Sequence, residues 1–275
     1  MVYRYDELTW PEINDAVEAG RIPVLPVGSV EQHGHHLPLK VDWFCAASVV
    51  EEAARRSNGK LLAMPPVHYG YCRHVMDFPG TIAVHPMNLI NFCLDITKSV
   101  AYHGFKKVII VNGHGSNRHL LELVARRTAL ETDAVCAIAN WWDLLLAEPD
   151  FNSRWRESVY PGGCGHACEL ETSMLLHLDP EAVRRDRISD NVGKGTAFHW
   201  TDLFAQGPVS IPGYHSQGTE TGASGQPSLA TEKKGETAFE GAVRLLLAFA
   251  DEFDSSPIRP RKDHHNTPPT FPVPG

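Results

Sequence analysis

Short unbroken apolar runs in this chain alternate with longer stretches whose apolar residues recur every three to four positions. Ile22-Pro23-Val24-Leu25-Pro26-Val27-Gly28 has strand length and reads as a buried strand despite its prolines. Lys60 to Met64, Lys107 to Val111 and Ala134 to Ala139 predict three more strands. Trp43 to Arg56, Pro86 to His103, Arg118 to Glu131 and Glu236 to Phe253 carry helical patterns, the second stopped by Gly104. Strands followed by helices predict an α/β fold of three layers, α/β/α, whose central, mainly parallel sheet is covered on both faces.

At 275 residues, 43% of them hydrophobic, one large domain suffices. Residues 1–254 are assigned to it. Residues 193–228 are rich in Gly, Ser, Thr and Pro, but they hold Phe198, Trp200, Phe204 and Tyr214, which a solvated linker avoids, so an ordered lid or assembly loop is expected. Residues 255–275, with six prolines, predict an extended C-terminal arm.

A net charge of −8 argues against nucleic acid or an anionic membrane surface as partner. No stretch has the roughly 18 apolar residues of a spanning helix, and Met1 to Glu7 lacks an apolar signal core, which predicts a cytoplasmic protein. The six cysteines are scattered rather than spaced as a framework and read as reduced thiols. Histidine is the outlier, at 15 residues.

The chemistry concentrates where strands end. Gly28-Ser-Val-Glu31-Gln-His33-Gly-His-His36-Leu-Pro-Leu-Lys-Val-Asp42 packs carboxylates and imidazoles directly behind the first strand, the composition of a metal site. In an extended segment Glu31 and His33 fall on one side, and Asp42 returns after a loop to where it could bridge two ions. Asn112-Gly113-His114-Gly115-Ser116-Asn117 follows the 107–111 strand and lacks the Lys and glycine spacing of a phosphate loop. Gly165-His166-Ala167-Cys168-Glu169-Leu170-Glu171-Thr172-Ser173 comes later. In such sheets ligands bind beyond the carboxyl ends of the strands, so the first two clusters point to one end.

Together with PPVHYG at 65–70, FPGT at 78–81, NWW at 140–142 and GQPSLATEKKG at 225–235, these motifs resemble the creatininase family of metal-dependent amidohydrolases, over roughly residues 5–253. The resemblance implies that Glu31, His33, Asp42 and His114 are metal ligands, with Asp42 bridging, and that His166 is the catalytic histidine. Creatininases proper place a Glu two positions after the His of NGH, where this chain has Ser116; the missing carboxylate is expected from Glu169, as in a branch that includes formamide deformylases and a peptidase of cofactor maturation. Glu171 is the rival, expected behind the ligands. Trp142, Cys72, His74 and Gly115 are assigned to the substrate pocket, whose segment 71–77 departs from both groups.

Two divalent cations sharing Asp42 would lower the pKa of a bridging water to about 7 and supply hydroxide to a polarised carbonyl. His and carboxylate donors suit Zn²⁺, Mn²⁺ or Fe²⁺. The expected function is a dinuclear metal-dependent hydrolase cleaving a C–N bond of a small cyclic or linear amide. The alternatives are a C–C hydrolase opening a cyclic ketone with the same site and a non-catalytic small-molecule-binding scaffold. By resemblance, the protein is expected to be a homo-oligomer, a hexamer.

Overall fold

The computed structural model describes residues 1–193, 195–267 and 269–270; Lys194 of the loop segment and positions 268 and 271–275 of the arm lie outside the described residues. Four parallel strands form the central sheet: β1 (Ile22–Val27), β2 (Leu61–Ala63), β3 (Lys107–Asn112) and β4 (Val135–Asn140), in the order β2-β1-β3-β4. β1 therefore sits inside the sheet, where proline costs a ladder hydrogen bond. Both prolines fall where a neighbour has stopped pairing. Pro23 precedes the β1–β3 register, which begins at Val24↔Ile109, and Pro26 lies past the end of β2 at Ala63.

Alternation along the strands divides the core. Ile22, Val24, Ile109 and Val111 face one cluster; Leu25, Val27, Val108 and Ile110 face the other. The first cluster is covered by α2 (Val41–Arg56) and by the later helices α6 (Glu169–Leu178) and α7 (Glu232–Ser255), the second by α1 (Trp10–Glu18), α3 (Pro86–Tyr102) and α4 (Arg118–Glu131). The expected three layers are present. α7 starts four residues earlier than its periodicity suggests, because Thr231 caps it, accepting from Lys234 N at 3.2 Å.

Between β4 and α6 lie the short α5 (Phe151–Trp155) and β5 (Cys164–His166), and β5 pairs antiparallel with β8 (Ser224–Gly225). The intervening segment is ordered by β6 (Thr201–Asp202) and β7 (Ala205–Gln206), which form a hairpin. The hairpin is pinned inward: buried Asp202 takes two hydrogen bonds from Arg156, at 2.9 and 2.7 Å, and Phe204 packs with Phe151 and Trp155. Described residues after Ser256 are exposed. No described helix is long and apolar enough to cross a membrane.

Candidate metal centre

The loop after β1 and the loop after β3 converge on the first turn of α2. They reach it because Gly28 and Gly113 have no side chains: a Cβ on Gly28 would sit 2.2 Å from Trp43 N, and one on Gly113 would sit 2.1 Å from Asp42 O. Asp42 lies in that first turn, where the helix N-terminus favours a carboxylate.

Glu31, His33, Asp42, His114 and Glu171 are all buried, and their donor atoms form two triads. Glu31, Asp42 and His114 make one, with His114 Nδ1 at 3.3 Å from Glu31 Oε2 and 3.1 Å from Asp42 Oδ2. His33, Asp42 and Glu171 make the other, with His33 Nε2 at 3.1 Å from Asp42 Oδ1 and 3.7 Å from Glu171 Oε1. Asp42 belongs to both, one oxygen to each. A third grouping joins Glu31, His33 and His166.

Backbone carbonyls orient the three imidazoles. His33 Nδ1 lies 3.2 Å from Glu31 O, His114 Nε2 3.1 Å from Tyr71 O, and His166 Nε2 2.8 Å from Gln32 O. Each of these nitrogens is thereby the N–H donor, and the other nitrogen of each ring turns a lone pair toward the carboxylates. Lone pairs facing carboxylates repel unless a proton or a cation lies between them. Glu31 Oε1 and His33 Nε2 are buried without a hydrogen-bond partner, so the donor set fits divalent cations.

A proton serves the same end as a cation there. Burial opposes charge on His33 and His114, but Asp42 and Glu171 around the first, and Glu31 and Asp42 around the second, raise both imidazoles well above the ordinary range. Burial would raise Asp42, yet His33 and His114 hold its carboxyl well below its usual range. Burial lifts Glu31 despite His114. For His166, burial and the adjacent His33 act together and push the imidazole far down, leaving it neutral.

Glu169 does not join the cluster. Its carboxylate is buried on the other side of α6, paired with Lys234 and accepting from Ser158 N at 2.9 Å and Glu157 N at 3.2 Å. α6 begins at Glu169, and residues two apart on a helix are rotated by roughly 200°, so only one of Glu169 and Glu171 can face the ligands. Cys168 sets the phase. Its backbone N–H, at the N-cap, points to Glu171 Oε2 at 3.4 Å, which leaves Oε1 for His33.

Two expected pocket residues are buried. Cys72 is fully buried, its thiol 3.3 Å from Ile82 O, and burial beside Glu31 pushes that thiol up to about 12. Trp142 is buried edge to face against Trp141 in the core. His74 and Gly115 do border the site: the His74 ring stacks on His114 with centroids 5.9 Å apart, and Gly115 is exposed beside it.

The sequence gives no local signal for two neighbours. Ser29 Oγ lies 2.9 Å from both Glu31 Oε2 and Asp42 Oδ2, and its single proton serves one at a time. His215, from the segment 193–228, packs edge-on against His166 with ring centroids 5.0 Å apart. Asn112 holds the His114 turn, donating to His114 O at 2.6 Å and accepting from His114 N at 3.1 Å.

Comparison with known proteins identifies the family. The creatininase family model, described as creatinine amidohydrolase, matches residues 6–250. Creatinine amidohydrolase of Pseudomonas putida is 30% identical over 260 residues, 90% of this chain and 96% of its own length. A mycofactocin precursor peptide peptidase of Mycobacterium ulcerans is 31% identical over 242 residues, 86% of this chain and 82% of its own. The solved structure "Creatininase Mn" superposes with a TM-score of 0.78 at 26% identity, covering 93% of this chain and 100% of the other. The chain belongs to the creatininase family.

Proposed function

We propose that the protein is a dinuclear metal-dependent hydrolase cleaving the C–N bond of an amide. The observation that carries this reading is the pair of donor triads sharing Asp42, each with an imidazole whose outer N–H is tied to a carbonyl. Glu31, Asp42 and His114 would hold one cation, and His33, Asp42 and Glu171 the other. A bound pair supplies an acidified water and a Lewis acid for the carbonyl oxygen. Three carboxylates and two neutral imidazoles leave such a pair near charge balance, and Glu171, not Glu169, supplies the third.

His166 is the proton carrier. Its Nε2–H is committed to Gln32 O, so Nδ1, 3.7 Å from Glu31 Oε1, is the basic position open to the site. From Nδ1 the ring can take the proton of the attacking water and return it to the leaving nitrogen. The backbone carbonyl of Gln32 fixes the ring's outer side, and the Gln32 side-chain amide donates to Gly222 O at 2.9 Å.

The relatives named above act, by their names, on creatinine and on a precursor peptide, which supports amide hydrolysis across cyclic and linear substrates. Self-assembly into a homo-oligomer belongs to the same reading. It is supported by the apolar face around α1 and α3, where Trp10, Phe92 and Tyr69 are exposed beside a cavity of about 940 Å³. The function is tested by metal analysis of the purified protein with turnover of lactams, formamides, small peptides and cyclic ketones. Two equivalents of metal with amide turnover are expected; a metal-free protein without turnover would make it a binder.

A further inference from the structure

A second cavity lies against the outer side of the metal centre. It holds about 510 Å³ and is lined by His74, from the loop before α3, and by His215, Trp200, Tyr214, Gly193 and Thr219 of the loop segment, among others. Two of these residues are one ring removed from the site: His74 stacks on His114, and His215 packs on His166. The cavity therefore lies one ring away from the centre, beside both His114 and His166. Its size falls within the roughly 300–1,000 Å³ that accommodates a ligand of many heavy atoms, several times what one small ring fills.

Its outer wall is held in place rather than loose. Arg156 and Asp202 pin the hairpin β6–β7, and Ser216 bonds Asp77, fastening the turn at His215 to the segment 73–77. A preformed wall lowers the ordering cost of a bound chain.

We infer that this cavity is a subsite for the part of the substrate beyond the scissile bond, so that the preferred substrate is an elongated linear amide rather than a compact cyclic one. The inference rests on the hydrolase reading above and names its substrate class. Binding energy gathered along the wall raises turnover of long substrates over short ones.

Peptide mixtures randomised at every position, two to five residues long, and a five-membered lactam are incubated with metal-loaded protein. Cleavage is followed by mass spectrometry and kcat/KM by amine release. We expect kcat/KM to rise about tenfold or more from two to five residues and the lactam to be the poorest substrate. Gly193→Trp is chosen to narrow the cavity, since Gly193 lines it and a Cβ there meets nothing within 4 Å. It should lower the long-to-short ratio at least tenfold while bound metal and Tm hold. Gly218→Phe, whose Cβ meets only His215 O at 3.8 Å, is the second such variant. A ratio that does not rise with length, or that survives both variants, overturns the inference. Turnover of the lactam alone overturns the inference and leaves the hydrolase reading standing; turnover of neither class overturns both.

Discussion

Replacing Gly113 by alanine should disable the centre although no ligand is touched. The new methyl would lie 2.1 Å from Asp42 O, 2.8 Å from Asp42 C and 3.1 Å from Ala46 Cβ. All three atoms belong to the start of α2, and two are backbone, so no side chain can swing aside. Restoring an ordinary contact of about 3.4 Å requires the first turn of α2 to retreat from the His114 loop by about 1.3 Å. That movement carries Asp42 with it and opens both triads at once. Misplacement by about 1 Å at a reacting centre costs on the order of 10²-fold in turnover. Overpacking of this kind also costs about 1–3 kcal/mol of stability, each kcal/mol lowering Tm by roughly 2–4 °C. The assay is kcat/KM for a cleaved amide, with metal content by mass spectrometry and Tm by calorimetry. Gly115→Ala, in the same loop with open space at its Cβ, should leave Tm and bound metal unchanged. Gly113→Ala retaining both metals and kcat/KM within about threefold would refute the steric reasoning.

His166→Ala should keep both metals and lose about 10²- to 10⁴-fold in kcat, read by steady-state kinetics beside metal analysis; loss of metal instead would make His166 a ligand. Glu169→Gln should act on stability, since it breaks a partly buried pair and leaves Lys234 with Glu157 and Leu229 O alone; a loss of about 1–3 kcal/mol is expected in denaturant unfolding. Burial works to raise the Glu169 carboxyl, but Lys234 and the Ser158 and Glu157 amides hold it below its usual range. Its contribution is therefore complete above the ordinary glutamate range and fades as pH falls through the lowered value, so the gap between wild type and Glu169→Gln should close in acid. Light scattering should report a mass several times 30.4 kDa; a monomer at micromolar concentration would contradict self-assembly.

The sheet was legible because β1 and β3 are buried on both faces and read as continuous apolar runs, while α2 and α4 keep an amphipathic period. α1 has a start signal in Thr9, Pro11 and Glu12, a capping box that periodicity alone does not reveal. The cluster of Glu31, His33, Asp42 and His114 was legible because its residues lie in loops that follow strands or at the start of the next helix. The choice between Glu169 and Glu171 was not. It turns on the phase of α6, fixed by where Cys168 caps the helix and by the close seat of α7, whose Gly235 leaves no room for a Cβ against Ser173 O. The burial of Cys72, whose thiol turns to Ile82 O, was not legible in a segment that departs from the family pattern. His215 sits some fifty residues after His166, in a stretch without periodicity, and only the tertiary fold brings the two rings together.

The central claim is that one carboxylate, Asp42, is shared between two cation sites and that Glu171 completes the second. Metal stoichiometry of wild type, Glu171→Gln and Glu169→Gln, purified and loaded identically and weighed by native mass spectrometry, tests it most directly. The account predicts two ions in the wild type, one in Glu171→Gln with turnover nearly abolished, and two in Glu169→Gln. Two ions retained in Glu171→Gln, with one lost from Glu169→Gln, would contradict it.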